Sequence, residues 1–221
     1  MFIMKKIAKK IGKKAVKKET AKKVAKNLQL NKINNVVNNR FKSLKNSKTF
    51  ENLLKAFEGE SKAFTSYLYF ASKAKKEGYV QIADYFSETA NNEKEHAKIW
   101  FKLLTKNNEV PSTSENLESA AKGEHYESSK MYPEFAKIAK KEGFTDIARL
   151  FELVAEIENR HHERFIALAN SLKKGKVFKS DNNEKWICTN CGNVVTGKSA
   201  PILCPFCKHQ QAYYKRLKKD Y

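Results

Sequence analysis

Apolar residues recur at helical spacing over most of the chain, and the breaks between runs mark four long elements. Leu53, Leu54, Phe57, Phe64, Leu68 and Ala71 predict a helix from about Phe50, with Thr49 as its cap and Glu51 in its first turn. Gly78, after Lys75-Lys76-Glu77, is its predicted C-terminal stop. Ile82, Phe86, Ile99, Phe101 and Leu104 predict a second helix, broken at Asn107-Asn108-Glu109-Val110-Pro111. A third is expected from near Ser114 to before Gly143, and a fourth from Thr145 to Leu172, with Gly175 past its end. Upstream, Ile3, Ile7, Ile11, Ala15, Val24 and Leu28 are separated by Lys-Lys pairs, which reads as a basic amphipathic helix or a solubilising disordered tail. Gly12 and the Asn34–Asn39 run weaken any single long helix there. After Gly175 the period of 3.6 disappears, and Ser180-Asp181-Asn182-Asn183 reads as a linker.

The helical pattern repeats. Lys75-Lys76-Glu77-Gly78-Tyr79 matches Lys140-Lys141-Glu142-Gly143-Phe144, and Ile82-Ala83-Asp84-Tyr85-Phe86 matches Ile147-Ala148-Arg149-Leu150-Phe151, both offset by 65. Two duplicated helical hairpins make a four-helix bundle. Gly59-Glu60 matches Gly123-Glu124 at an offset of 64, so the third helix carries one extra residue before Lys140. Helices commonly absorb one insertion as a π-bulge, and Pro133 in the same segment removes a backbone donor. A bulge or kink is therefore predicted between Glu124 and Lys137.

Charge adds a boundary. The net charge is +20, of which +15 lies in residues 1–49, where Glu19 is the only acid. The basicity belongs to an N-terminal extension, residues 1–47, that could lie on anionic lipid, grip nucleic acid or dock on an acidic partner surface. The expected domains are this extension, a bundle over 48–175 and a small module over 181–221. No apolar run approaches the roughly 18 residues of a membrane span. The basic N-terminus lacks the apolar core of a secretory signal, and an organelle presequence would carry Arg and Ser earlier than Arg40 and Ser43. A cytoplasmic location is expected.

The repeat carries candidate chemistry. Glu93 and His96 stand at i and i+3 on the second helix, and Glu158 and His161 repeat them on the fourth. Such pairs share one helix face, a turn apart, and can grip a cation from one side. Glu60 on the first helix, and Glu124 and Glu127 on the third, complete a set to which every helix contributes. One exposed Glu is ordinarily a solvated surface residue. Two Glu-x-x-His pairs at equivalent points of a repeat, each preceded by Gly-Glu, instead follow the di-iron carboxylate pattern. Ala90 and Ala97 flank Glu93 at helical spacing, placing the acid on an inward stripe where an unpartnered carboxylate would be costly. Oxygen and imidazole donors suit iron or manganese, and two ferrous ions hold the two electrons needed to reduce peroxide or dioxygen. Tyr67 and Tyr132 could reach the site or serve as core residues.

The C-terminal part holds Cys188-Thr189-Asn190-Cys191 and Cys204-Pro205-Phe206-Cys207, twelve residues apart. Two such knuckles close a four-thiolate site for zinc or one iron, in a reducing compartment. Trp186, Gly192, Tyr213 and Tyr214 fit a small aromatic-packed β module stabilised by its metal.

Over about residues 44–216 the chain resembles the rubrerythrin family. The resemblance is carried by Ala56-Phe57-Glu58-Gly59-Glu60-Ser61, Glu88-Thr89-Ala90 through Glu93-Lys94-Glu95-His96-Ala97-Lys98, Ala120-Ala121-Lys122-Gly123-Glu124-His125, Met131-Tyr132-Pro133, Lys141-Glu142-Gly143-Phe144 and Cys-Pro-Phe-Cys. It implies a mainly α fold, a ferritin-like di-iron four-helix bundle followed by a rubredoxin-like β metal-binding domain. It also implies a peroxidase reducing hydrogen peroxide to water in an anaerobe's oxidative-stress defence. Electrons would arrive through the rubredoxin-type iron from a rubredoxin or an NAD(P)H-dependent reductase, and the protein would be a homodimer. By motif, the catalytic di-iron ligands would be Glu60, Glu93, Glu124, Glu127, Glu158 and His161. His96 would be a redox-dependent ligand exchanging with Glu124. Cys188, Cys191, Cys204 and Cys207 would hold one iron, or zinc. Asn193 stands where such knuckles often have Tyr, and Lys208 where Gly or Ala is usual. The readings that compete are a ferroxidase that handles iron and a metal-stabilised binding protein targeted by its basic arm.

Overall fold

The computed structural model describes Lys26, Gln29 and residues 35–217. The amphipathic stripe expected from Ile3 to Leu28 lies outside the described residues. Residues 35–45 are helical despite the Asn run, a departure from expectation. Val37, Phe41 and Leu44 supply half-buried positions at helical spacing, and Asn is only weakly unfavourable in a helix.

Contacts divide the chain into two units, Met1–Val110 and Pro111–Tyr221. The first holds the hairpin of α1 (Lys48–Lys76) and α2 (Val80–Leu103). α1 starts earlier than expected because Ser47, not Thr49, is its cap, its hydroxyl accepting from the Phe50 N–H at 3.3 Å. The second unit holds α3 (Thr113–Tyr126), a π-helical segment (Glu127–Met131), α4 (Tyr132–Lys141) and α5 (Thr145–Lys173). Ser112 and Glu115 form a reciprocal capping box at the start of α3.

The duplication survives in three dimensions. Gly78 and Gly143 follow their helices at φ 88° and 89°. Behind each, the Tyr79 N–H donates to Ala74 O and the Phe144 N–H to Ala139 O, both at 2.9 Å, the bonds of a Schellman stop. Ala71, Ala74 and Ala83 are buried in the first hairpin, and Ala136, Ala139 and Ala148 in the second, each at the expected offset of 65. Small side chains there let the paired helices approach closely. Two aromatic triads also repeat. Tyr67, Phe70 and Phe86 have centroid separations of 6.0, 6.1 and 5.6 Å, and Tyr132, Phe135 and Phe151 have 6.2, 6.0 and 5.6 Å.

The one-residue insertion is the π segment. The Tyr132 N–H reaches back five residues to Glu127 O, so the extra residue is absorbed between the two faces that pack, and Pro133 follows as an early residue of α4. Both lie in the predicted window.

The C-terminal part is a three-stranded antiparallel sheet of order β2-β1-β3, with β1 Lys179–Cys188, β2 Val194–Ser199 and β3 Tyr214–Arg216. Ser180–Asn183 belongs to β1 rather than to a linker. The strand absorbs these polar residues in an irregularity between Lys179 and Glu184, where Ser180 Oγ accepts from the Asn182 N–H. Trp186, Cys188, Ala200, Cys204 and Tyr214 form its core. Among the described residues no helix is long and apolar enough to cross a membrane.

Candidate metal centres

Each hairpin brings two carboxylates and an imidazole together. In the first, α1 supplies Glu60 and α2 supplies Glu93 and His96, with one donor atom from each within 4.8 Å of the others. His96 Nδ1 lies 2.9 Å from Glu93 Oε2 and 3.8 Å from Glu60 Oε1. In the second, α3 supplies Glu124 and α5 supplies Glu158 and His161. His161 Nδ1 lies 2.6 Å from Glu158 Oε2 and 3.6 Å from Glu124 Oε2. The same ring nitrogen faces the same two carboxylates in both hairpins. The space between each imidazole nitrogen and its two carboxylates is where a cation would sit.

The electrostatics also fit a cation. Burial raises the Glu124 carboxyl above its ordinary range, and the neighbouring Glu158 and Glu127 carboxylates raise it further, while His161 opposes them. Negative charge gathered around Glu124 disfavours its ionisation, and a divalent ion would reverse that. A donor set of oxygens and imidazoles suits iron or manganese.

Glu127 stands outside the second group. It opens the π segment, and its charge acts on both Glu124 and Tyr132. Tyr132 has its phenol held above the ordinary value, first by burial and then by Glu127, Glu158 and Glu124. Its repeat partner Tyr67 packs on Phe70 and Phe86.

Sequence reasoning passed over a histidine pair. The His125 and His162 rings lie 5.0 Å apart, and His162 Nδ1 donates to Ala121 O at 2.8 Å, tying α5 to α3 beside the donors. Ser61 and Ala97 occupy their places in the first hairpin. The signal was present: His125 follows Glu124 directly, and His162 follows His161. The two groups therefore have unequal surroundings.

All four cysteines converge. Cys188 and Cys207 sulfurs are 3.7 Å apart, as are those of Cys191 and Cys204. Metal–sulfur bonds of about 2.3 Å at tetrahedral angles put sulfurs about 3.8 Å apart, so the set fits one metal without rearrangement. The knuckles are pseudo-symmetric: Gly192 and Lys208, each four residues past the first cysteine of its pair, have φ of 76° and 61°. Their N–H groups bond Cys188 O and Cys204 O at 2.8 and 3.0 Å. The His209 N–H leads in holding Cys207 down at about 6, against burial. Cys191 is pushed up to about 12: the Asn193 N–H opposes this, but burial and the three other sulfurs outweigh it. Burial works to raise Cys204, but the Tyr214 hydroxyl and the N–H groups of Cys207 and Phe206 outweigh it and lower the thiol. Four sulfurs this close would repel one another as thiolates, and a bound cation would relieve that.

The family model described as Rubrerythrin matches residues 51–169, and the one described as Rubrerythrin, rubredoxin-like domain matches residues 186–215. Rubrerythrin of Clostridium perfringens (strain 13 / Type A) is 47% identical over 194 residues, covering 81% of this chain and 100% of the relative. Rubrerythrin of Nitratidesulfovibrio vulgaris (strain Hildenborough) is 46% identical over 186 residues, covering 80% and 97%. Among solved structures, a mixed-valence nigerythrin is 32% identical over 77% of this chain and 87% of its own, with a TM-score of 0.29.

Proposed function

The chain belongs to the rubrerythrin family of di-iron oxidoreductases, with a ferritin-like helical part and a rubredoxin-like metal-binding part, and we propose that within it the protein is a peroxidase reducing hydrogen peroxide to water. The observation that carries the reading is the pair of matching Glu, Glu, His groups at equivalent points of the two hairpins, on a chain that also carries a four-thiolate site. When bound, an iron pair supplies the two electrons that, with two protons, convert hydrogen peroxide to two molecules of water.

The chain's own groups do the rest. Glu60, Glu93, Glu124, Glu127, Glu158 and His161 hold the metals, and His96 is the imidazole free to bind or leave as the charge of the site changes. Of the two histidines its side chain is the more exposed, 53% against 37% for His161, and among the described residues the first hairpin has no counterpart of the His162 bond that ties the second together. The Tyr132 phenol, raised by burial and three carboxylates, stays protonated at neutral pH and keeps a proton at the site's edge. Cys188, Cys191, Cys204 and Cys207 hold the iron that receives electrons one at a time. The working division is an extension over 1–47, a di-iron bundle over 48–175 and a four-cysteine module over 181–221, in a cytoplasmic homodimer. A rubredoxin or an NAD(P)H-dependent reductase supplies the electrons.

Steady-state peroxide consumption by the iron-loaded protein, driven by a rubredoxin and its reductase, tests this. Turnover should follow peroxide and fall at least about 100-fold in Glu93→Ala. Turnover that persists in Glu93→Ala overturns the assignment.

A further inference from the structure

The four-cysteine module buries two polar side-chain atoms that its fold does not use. The Tyr214 hydroxyl and the Asn193 amide nitrogen are inaccessible to solvent and have no hydrogen-bond partner among the described residues. An orphaned buried donor costs free energy, so a pair of them beside a metal site calls for a function. Tyr214 is 4% exposed and packs in one cluster with Trp186, Cys188 and Cys204. Its backbone is registered opposite Cys188 in the sheet, and the residue before it is anchored where the Thr189 N–H donates to Tyr213 O at 2.7 Å. The phenol therefore packs inside the module, beside the sulfurs. A neutral thiol is a weak acceptor, whereas a metal-bound thiolate is a strong one.

We propose that Asn193 Nδ2 donates to the Tyr214 hydroxyl, which in turn donates to the Cys204 thiolate, and that this relay raises the reduction potential of an iron held by the four cysteines. The physics is one of charge. Reduction adds one negative charge to a site whose charge is spread over its sulfurs, and a donor aimed at a sulfur stabilises the reduced form more than the oxidised one. Asn193 polarises the Tyr214 O–H and strengthens its donation. Asn193 lies at the same corner, its carbonyl accepting from the Cys188 N–H at 2.9 Å on the residue registered opposite Tyr214. The relay rests on iron occupying the four-cysteine site, as in the proposed electron path, but not on peroxide being the oxidant.

The test is the midpoint potential of the four-cysteine iron in the full-length, iron-loaded protein, followed through its thiolate charge-transfer absorption. Tyr214→Phe keeps the ring and removes the donor. It should lower the equilibrium constant for reduction about tenfold, which is about 59 mV for one electron. Asn193→Ala should shift it in the same direction by less. The double variant should match Tyr214→Phe alone, because Asn193 acts through the tyrosine. A Tyr214→Phe potential equal to that of the parent overturns the proposal. If Tyr214→Phe fails to retain iron, the Asn193→Ala potential decides, and no downward shift there overturns it equally. A parent protein without the ferric-thiolate absorption refutes the electron path itself, an outcome distinct from an unshifted potential.

Discussion

Deleting Ser129 should remove the π segment, and with it the second carboxylate group. The Tyr132 N–H now spans five residues to Glu127 O, and without Ser129 it would span the four of an ordinary α-helix. α4 is held by its buried Ala136 and Ala139, so the correction falls on α3. One residue is a rotation of about 100° and a rise of about 1.5 Å. A carboxylate roughly 6 Å from the helix axis then moves about 9 Å. Glu124, now 3.6 Å from His161, would leave the group, and Ala121, now 2% exposed, would turn out of the α3–α5 contact together with its bond to His162. Titration with ferrous iron or manganese against a competing chelator should show more than about tenfold weaker binding. Ser129→Ala, which keeps the length, should bind like the parent. The four-cysteine absorption and the helical circular dichroism report that the variant is folded. Parental affinity in a folded deletion variant would refute the idea that the inserted residue places Glu124.

Other tests reach different parts of the molecule. The folded-state value of Glu124 lies above the ordinary 4.5, so it keeps a proton to higher pH than in the unfolded chain. Its contribution to stability is full below the ordinary value and is lost as pH rises through the raised one. A cation needs the ionised form, so metal affinity should instead fall as pH drops through the raised value, and chelator competition at several pH values reads this directly. Lys208 adopts a left-handed φ of 61° where its pseudo-symmetric partner is Gly192, so Lys208→Gly should stabilise the metal-loaded module by about 1 kcal/mol, read by denaturant titration of its absorption. Cys204→Ser should expose Trp186, now 0% accessible, and red-shift its fluorescence while the helices keep their circular dichroism.

Much of this was legible because a duplication leaves repeated signals. Gly78 and Gly143 mark both hairpin turns, and the slip from 64 to 65 between Glu124 and Lys140 brackets the π segment. Glu-x-x-His spacing is a face of one helix, so Glu93 with His96 and Glu158 with His161 could be paired from local geometry alone. What escaped depends on contacts between elements. His162 reads as one more polar helix residue until α3 brings Ala121 O within 2.8 Å. The Tyr214 hydroxyl is an ordinary aromatic position until β3 pairs with β1 and buries it beside Cys204. Boundaries erred where chemistry is ambiguous. Ser47 and Thr49 are both good caps, and only backbone geometry selects Ser47. Ser180–Asn183 carries linker residues, yet the strand tolerates them at an irregularity.

The central claim is that the carboxylate–imidazole groups hold an iron pair that delivers two electrons to hydrogen peroxide. Its most direct test is a single turnover in a stopped-flow instrument, mixing the anaerobically reduced, iron-loaded protein with one equivalent of peroxide or of dioxygen. Di-iron oxidation should be much faster with peroxide and be lost in Glu158→Ala, with the four-cysteine iron oxidised afterwards. Oxidation by dioxygen as fast as by peroxide, or unchanged rates in Glu158→Ala, would contradict it.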